Sequence, residues 1–145
     1  MKIFSRTMMF FLLLLISACH DDHRRRLSLQ HQTIDATYLP RIADYIEYWR
    51  DGALLASDHG LLLKLATTPD PVCVSLMGLH QDVDAGFVDA TGRLRAWQTL
   101  QVRSATSFCS PYPAHWLLEM PPGWFTQHQI QAGAVLTVPS EINQP

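Results

Sequence analysis

The sequence lacks the short motifs that mark the common enzyme families. It contains no Gly-x-Ser-x-Gly elbow, no phosphate-binding loop and no His-Glu-x-x-His helix. Basic charge is also scarce, because beyond residue 18 only 9 Lys and Arg stand against 13 Asp and Glu. This balance disfavours nucleic acid as a partner. The composition therefore predicts a small globular domain, and the sequence nominates no catalytic residue, metal ligand set or cofactor.

Long apolar runs are scarce too, and the longest one is placed near the start of the chain. Met8–Ile16 is too short for a mature transmembrane helix, which needs about 20 residues. It lies between basic residues and small residues, an order typical of a secretory signal peptide. The sequence Ile16–Cys19 (ISAC) also resembles the bacterial lipobox, whose cysteine is acylated and becomes the new N-terminus. We therefore predict a signal peptide over residues 1–18 and lipidation at Cys19, with palmitate among the attached acyl chains. The alternative is an ordinary signal peptide that is followed by a cysteine by chance.

The residues that follow Cys19 bear on the location of the protein. His20 stands where an aspartate would resemble the inner-membrane retention signal of enteric bacteria. The sequence thus predicts a protein held by its lipid on the periplasmic face of the outer membrane. Residues 19–33 are polar and without periodicity, and they are interpreted as a tether. An envelope protein or a small ligand would be the partner in that compartment.

Cysteine is rare, with only Cys73 and Cys109 after the lipobox. A pair of this kind in an oxidising compartment is often a disulfide. Such a bond would stabilise the fold by roughly 3–4 kcal/mol on the chain-entropy model. The alternatives are two free thiols that lie too far apart to bond, or Cys109 as a nucleophile with His115. The oxidising compartment favours the disulfide.

One segment has helical periodicity. Pro40 is suited to the first position of a helix, and Gly52 to its left-handed C-terminal cap. The residues at i, i+3, i+4 and i+7 predict an inward face made of Ile42, Tyr45, Ile46 and Trp49.

The rest of the chain is rich in short β-prone runs. The predicted strands are residues 32–39, 60–66, 72–77, 83–88, 94–101, 114–120 and 132–139. Residues 104–113 are predicted to be a loop and residues 123–130 to contain a helical turn. With no βαβ period, the pattern predicts a mainly β fold, a compact antiparallel barrel-like sheet with two short helices. The domain would span residues 34–139, followed by a tail at 140–145.

Two segments carry a resemblance to a known family. Residues 83–94, VDAGFVDATGRL, and residues 112–133, YPAHWLLEMPPGWFTQHQIQAG, resemble the hairpin and the C-terminal element of the domain of unknown function one-ninety-two. The likeness extends from about Ile34 to Val138. It implies a barrel-like β domain with short helices and no particular reaction. The chain departs from the family within residues 75–84, where Met77, Gly78 and Leu79 replace the family's Lys, Asn and Thr and Asp82 replaces its proline.

The same stretch contains the most suggestive polar cluster. Residues two apart share one face of a strand, so His80, Asp82 and Asp84 could line one side together. Such a trio could bind a divalent metal or act as an acid–base pair. The alternative, which the need for a fourth ligand favours, is that Asp84 is a structural hydrogen-bond acceptor at the head of the hairpin.

Two further residues are candidates for binding. Trp97 could form the base of a groove for a sugar or a peptide, while the alternative is that it belongs to the core, because aromatic side chains dominate the packing of small domains. Glu119 alternates with apolar neighbours and is expected to face solvent or to meet Arg93 or Arg95. The sequence as a whole favours a non-enzymatic, lipid-anchored envelope module. The alternatives are a small hydrolase or metal-dependent enzyme that uses the His80 trio, and a structural accessory of a secretion or pilus system.

Overall fold

The computed structural model describes residues 23–66, 70–75, 79–110 and 112–143. The predicted signal peptide and Cys19 lie outside these residues. The described part contains nine strands and two short helices: β1 (Arg24–Leu29), β2 (Gln32–Leu39), α1 (Ile42–Arg50), β3 (His59–Lys64), β4 (Cys73–Val74), β5 (Val83–Val88), β6 (Leu94–Leu100), β7 (Phe108–Cys109), β8 (Trp116–Met120), α2 (Trp124–Gln127) and β9 (Leu136–Thr137). No helix in these ranges combines the length and the apolar character that a membrane span requires.

Seven strands form one sheet in the order β6-β5-β8-β3-β2-β1-β9. Every neighbouring pair is antiparallel except β2 and β3, which are parallel and are connected along the chain by α1. The prediction of a mainly β fold with two short helices is confirmed. The β2–α1–β3 crossover was not predicted, because a single helical insertion leaves no repeating βαβ pattern in the sequence.

The sheet curls until its two edges meet. The bridge between Arg93 and Val135 joins the start of β6 to the segment that enters β9. Leu94 N donates to Ala134 O at 2.9 Å, and Leu136 N donates to Gly92 O at 2.7 Å. These bonds make a curled half-barrel and satisfy backbone groups that an open sheet would leave exposed.

Side chains alternate between two cores on the two faces of this sheet. The inner core contains Leu62, Leu118 and Phe125, with α2 packed against it. The outer core contains Leu61 and Leu117 and is covered by Trp49 of α1. The central strand β8 is therefore buried on both faces, and all five of its residues are buried.

The predicted tether is wrong from Arg24 onward. Residues 24–29 form β1, which pairs with β2 along its whole length, and Leu27 and Leu29 are buried in the inner core. The two leucines are spaced for one strand face, but three consecutive arginines masked that pattern. The predicted C-terminal tail also contributes to the inner core, through buried Ile142.

The position of α1 differs from the prediction at its inward face. The helix begins at Ile42 after the N-cap Arg41, and Gly52 has the expected left-handed conformation with φ +75°. Trp49 is buried as predicted. Ile42 and Ile46, in contrast, are 59% and 58% exposed, so the prediction was wrong for these two residues.

A separate two-stranded sheet, β4 with β7, closes the outer core. Cys73 lies directly opposite Cys109 in it, and the two form the predicted disulfide. The predicted loop at 104–113 is wrong at Phe108–Cys109, which is strand β7. Phe108 packs on Phe87 of the main sheet with ring centroids 5.0 Å apart. The cross-link thus holds an element that backbone pairing alone would fix weakly.

Candidate functional site

The most unusual group in the molecule is a fully buried carboxylate, Glu119, at the centre of the sheet. It lies on β8 between Leu61 of β3 and Ala85 of β5, on the face that α1 covers. Tyr45 Oη donates to Glu119 Oε1 at 2.9 Å, and Trp49 Nε1 donates to Glu119 Oε2 at 3.2 Å. The expectation that Glu119 faces solvent or meets Arg93 or Arg95 is therefore wrong. It anchors α1 instead.

The electrostatics of this cluster follow from burial. Burial raises the pKa of Glu119 to about 7, although the hydrogen bonds from Tyr45 and Trp49 act in the opposite direction. Burial also raises the pKa of the Tyr45 hydroxyl, and the charge of Glu119 adds to the effect. Glu119 can thus gain or lose a proton near neutral pH. Because α1 covers the carboxylate, its role in this structure is to hold the helix against the sheet.

Asp84 is the second buried carboxylate, and it lies on the opposite face of the sheet. It pairs with Met120 of β8, next to Glu119, so its side chain points into the inner core. Asp84 Oδ1 accepts the Thr99 hydroxyl at 2.7 Å, and Oδ2 accepts Phe125 N at 2.9 Å. Asp84 therefore holds the first turn of α2 against the β5–β6 hairpin.

Trp97 shares the face of Asp84, because it pairs with Gly86 on the neighbouring strand. It is half-buried, and its ring meets Phe125 edge-on at a centroid distance of 5.2 Å. Asp84 and Trp97 thus belong to one packed cluster around α2. Glu119 belongs to the other face.

His80 and Asp82 do not join Asp84 on one strand face, because β5 begins only at Val83. Asp82 Oδ1 accepts Val102 N at 2.8 Å and so fixes the segment after β6. His80 is exposed, at a bend. In the described ranges no three His, Cys, Asp or Glu side chains are arranged to hold a metal ion.

Asp89 is a structurally important carboxylate, although its sequence context indicates only a turn. Its Oδ1 accepts Thr91 N, the Thr91 hydroxyl and Arg93 N, while its Oδ2 accepts Arg95 Nε at 2.5 Å. Burial raises the pKa of Asp89, but these donors outweigh it and hold the value at about 2. The signal in the sequence was an Asp two residues before a Thr in a glycine turn.

Two surface hollows lie elsewhere on the described molecule. One of about 490 Å³ is lined by polar residues, among them Gln30, Gln129 and Gln131, and by the small apolar segment 132–135. The other, of about 470 Å³, lies beside the start of α1 and is lined mainly by aliphatic side chains. Neither hollow contains Asp84, Trp97 or Glu119.

Comparison with known proteins agrees with this fold. The model of the family DUF192, described as "Uncharacterized ACR", matches residues 50–138. A crystal structure from Sinorhizobium meliloti 1021, of a protein provisionally described as a transcription regulator, is 18% identical with a TM-score of 0.70, over 79% of this chain and 93% of that one. A protein of unknown function from Novosphingobium aromaticivorans DSM 12444 is 13% identical with a TM-score of 0.71, over 79% and 84%. At these identities the likeness shows the fold alone. No curated protein matches the chain.

Proposed function

The chain belongs to the DUF192 family, and we propose that it serves as a lipid-anchored binding module of the bacterial cell envelope rather than as an enzyme. The observation that carries this proposal is the disulfide between Cys73 and Cys109. Disulfides of this kind persist in oxidising compartments and are rare in the cytosol. The bond therefore favours a chain that has been exported, as the leading residues predict.

The position of the folded part supports an anchored module. Cys19 of the lipobox is followed by only three residues before His23, whose carbonyl oxygen already accepts Tyr38 N at 2.7 Å. A folded domain would thus begin almost at the acylated residue. On the periplasmic face of the outer membrane, such a domain would stay close to the lipid surface.

The use of the acidic side chains argues against an enzyme built on His80, Asp82 and Asp84. Asp84 holds α2, and Glu119 holds α1. Asp89 closes the β5–β6 turn. A hydrolase or metal-dependent enzyme built on His80, Asp82 and Asp84 would need Asp84 to leave its partners in the inner core. Each carboxylate instead stabilises an element of the fold.

The first test concerns the anchor and the compartment. Mass spectrometry of the protein from its native host is expected to find Cys19 as an acylated N-terminus, with Cys73 and Cys109 protected from alkylation until they are reduced. Cys19→Ser should abolish the acylated N-terminus without changing the fold. An intact Met1 on a cytosolic chain with both thiols free would overturn the proposal.

The second test concerns binding. The lipidated protein should retain an envelope component in affinity capture from detergent-solubilised envelopes, and a heat-denatured sample of the same protein should not. Turnover of an envelope substrate by the purified protein would contradict the non-enzymatic role. Loss of that turnover in Asp84→Ala with the fold intact would favour the enzyme.

A further inference from the structure

Two glutamines adopt a backbone conformation that glycine usually supplies. Gln30 has φ +58° and Gln129 has φ +55°, and they are the non-glycine residues with positive φ in the described part of the chain. In the left-handed region the Cβ of an L-residue comes too close to a carbonyl oxygen, which costs free energy. Glycine at either position would avoid this cost.

Gln30 lies in the turn between β1 and β2. Leu29 pairs with Gln32, so the loop of this hairpin has only two residues, and Gln30 is the first of them. Positive φ in a two-residue hairpin loop is usually supplied by Gly, Asn or Asp. The turn itself therefore does not call for glutamine.

Gln129 lies in an unrelated turn, directly after the C-cap of α2. Its N–H donates to Thr126 O at 3.1 Å, and the N–H of Ile130 donates to Phe125 O at 2.8 Å. These two bonds form the Schellman motif, in which glycine is the favoured residue at the position of Gln129. This turn does not call for glutamine either.

What the two side chains share is one hollow of about 490 Å³, which both of them line. It lies between the β1–β2 turn and the segment that enters β9, and Gln30 N donates to Val135 O at 2.9 Å to join these two walls. Gln131 is a third glutamine in the lining. Gly133, also in the lining, has φ +95°, so the chain does place glycine at a left-handed position of this wall. Strained residues that converge on one concave surface are typical of a functional site.

The lining favours an uncharged ligand that is rich in hydrogen-bonding groups. None of the described residues that line the hollow is Asp, Glu, Lys or Arg. Each glutamine amide offers two N–H donors and a carbonyl acceptor. Ala132, Ala134 and Val135 add a small apolar wall, and Val135 is 44% exposed. An N-acetylated sugar matches this lining, because its hydroxyl and amide groups both donate and accept while its acetyl methyl group is apolar.

The backbone of the same wall argues against an extended peptide as the ligand. Gly133 N donates to Leu94 O, and Ala134 O accepts Leu94 N. Val135 O accepts Gln30 N. A peptide that adds to a sheet as a further strand needs free backbone groups along an edge. Because these groups are already bonded, recognition in the hollow falls to side chains.

From these observations we propose that the hollow binds a neutral, N-acetylated glycan of the cell envelope. The amides of Gln30, Gln129 and Gln131 bond its hydroxyl and acetamido groups, and the apolar wall contacts the acetyl methyl group. The inference rests on the proposed function as an envelope binding module and names the class of ligand. The left-handed strain at two of the glutamines is the loss of stability that accompanies the site.

The test uses the mature, lipidated full chain in detergent micelles and isothermal titration calorimetry. Tetra-N-acetylchitotetraose is expected to bind saturably, and maltotetraose, which has no acetamido group, at least five-fold more weakly. Gln30→Gly and Gln129→Gly should each weaken binding of the acetylated sugar at least five-fold. The same two variants should raise the melting temperature by about 1–4 °C, because relief of the left-handed strain exceeds the entropy that glycine adds to the unfolded chain.

Two further variants separate binding from strain. Gln131→Ala removes an amide from the hollow at a residue whose φ is not positive, so it should weaken binding and leave the melting temperature unchanged. Gln98→Ala, on the exposed face of β6, lies outside the hollow and should change neither quantity. A lower melting temperature in both glycine variants would show that the two glutamines serve the fold, and the inference would then be wrong.

The remaining outcomes distinguish this site from the proposed function. An acylated protein that captures an envelope component but gives no heat with millimolar tetra-N-acetylchitotetraose would overturn the glycan site and leave the envelope module standing. Sugar binding that is unchanged in all three glutamine variants would overturn it too, because the sugar would then lie elsewhere. Equal affinity for maltotetraose would contradict the acetamido contact. Binding lost in the glutamine variants of a chain that mass spectrometry finds unacylated and cytosolic would support the site and refute the envelope module.

Discussion

At the scale of single residues, the molecule is organised around two neighbouring carboxylates on opposite faces of one sheet. Asp84 and Glu119 are both fully buried. Asp84 receives a backbone N–H and a hydroxyl, whereas Glu119 receives donors from two aromatic side chains of α1. Each one fastens a helix to the sheet. The attachment of α1 to the sheet therefore depends on one side chain.

Glu119 makes stability depend on pH in an unusual direction. Its pKa is raised from 4.5 in the unfolded chain to about 7 in the fold, so between these values the folded state binds more protons. The free energy of unfolding is therefore expected to fall by roughly 1–3 kcal/mol as pH rises from 4.5 through 7. Glu119→Gln removes the titration, and urea unfolding at pH 5 and pH 8 should show a flatter profile for this variant.

The pH dependence of the free energy of unfolding must be compared between wild type and Glu119→Gln, because the titration of His115 changes stability in the opposite direction. Burial lowers the pKa of His115, so its contribution to stability rises with pH just below 6.5. That contribution is common to both proteins and cancels in the difference. A wild-type profile that matches the Gln variant between pH 5 and pH 8 would contradict the role assigned to Glu119.

Asp84 is expected to behave as a structural residue. Asp84→Ala leaves the buried Phe125 N–H and the Thr99 hydroxyl without their acceptor, which should lower the free energy of unfolding by about 2–4 kcal/mol. Asp82→Ala is the matched control, because it removes one bond to a partly buried N–H and should cost about 1 kcal/mol or less. Chemical denaturation measures both. Equal, small losses would reopen a functional role for Asp84.

The sequence predicts the structural role of Asp84 but not that of Glu119, for a physical reason. Asp84 could be placed as an acceptor at the head of the hairpin because β5 and its turn are local patterns. Alternation along β8 predicts one wet face, and so it predicts that Glu119 faces solvent or meets Arg93 or Arg95. That strand has no wet side, since α1 covers its outer face from a distant part of the chain. Side-chain periodicity cannot show which helix will cover a strand.

At the scale of elements, α1 shows that an apolar pattern need not be buried along its whole length. The spacing of four apolar residues predicts one inward face, and Tyr45 and Trp49 on that face bond to the buried carboxylate of Glu119. Ile42 and Ile46 belong to the same pattern, yet both are exposed. A buried carboxylate without donors would be costly, so these bonds stabilise the position of α1. The helix and its cap at Gly52 could be predicted, but the partner of its polar donors could not.

The turn between β5 and β6 is tied to the edge of the sheet at Gly92. Its φ is +79°, and a Cβ there would lie 2.7 Å from Leu136 O. Gly92→Ala is therefore expected to lower stability by about 2–4 kcal/mol, from left-handed strain and from the overlap. Gly133→Ala shares the positive φ but meets nothing within 4 Å, so about 1–2 kcal/mol is expected. Thermal unfolding of the two variants isolates the cost of the overlap, and equal losses would show that β9 can move away.

At the scale of the whole molecule, a sheet that curls onto itself joins segments that are far apart in sequence. The mainly β class, most strand positions and the family could be predicted, because hairpin turns and short apolar runs are local signals. The joining of β6 to β9 and the parallel β2–β3 pair depend on long-range pairing, which no local pattern encodes. The first strand could not be predicted for a related reason. Its arginines make the segment polar in composition, and its strand structure depends on pairing with β2.

The disulfide acts at this largest scale, because it links two segments 36 residues apart. Replacement of both cysteines by serine is expected to lower the free energy of unfolding by about 3–4 kcal/mol on the chain-entropy model. Because that model places the effect in the unfolded chain, the variant should also unfold to a more expanded state and show a larger m value in urea. Val74→Ala is the matched control, since it loosens the same small sheet while the cross-link remains.

The control should lower the midpoint of unfolding with an unchanged m value, because it removes packing from the folded state alone. If the serine variant instead resembles Val74→Ala, losing stability at constant m, the disulfide acts by holding β4 and β7 against Phe87 rather than by restraining the unfolded chain. In that case reduction would open the outer core locally. Amide exchange in β4 and β7 would then accelerate under reducing conditions, while β5 and β8 kept their protection.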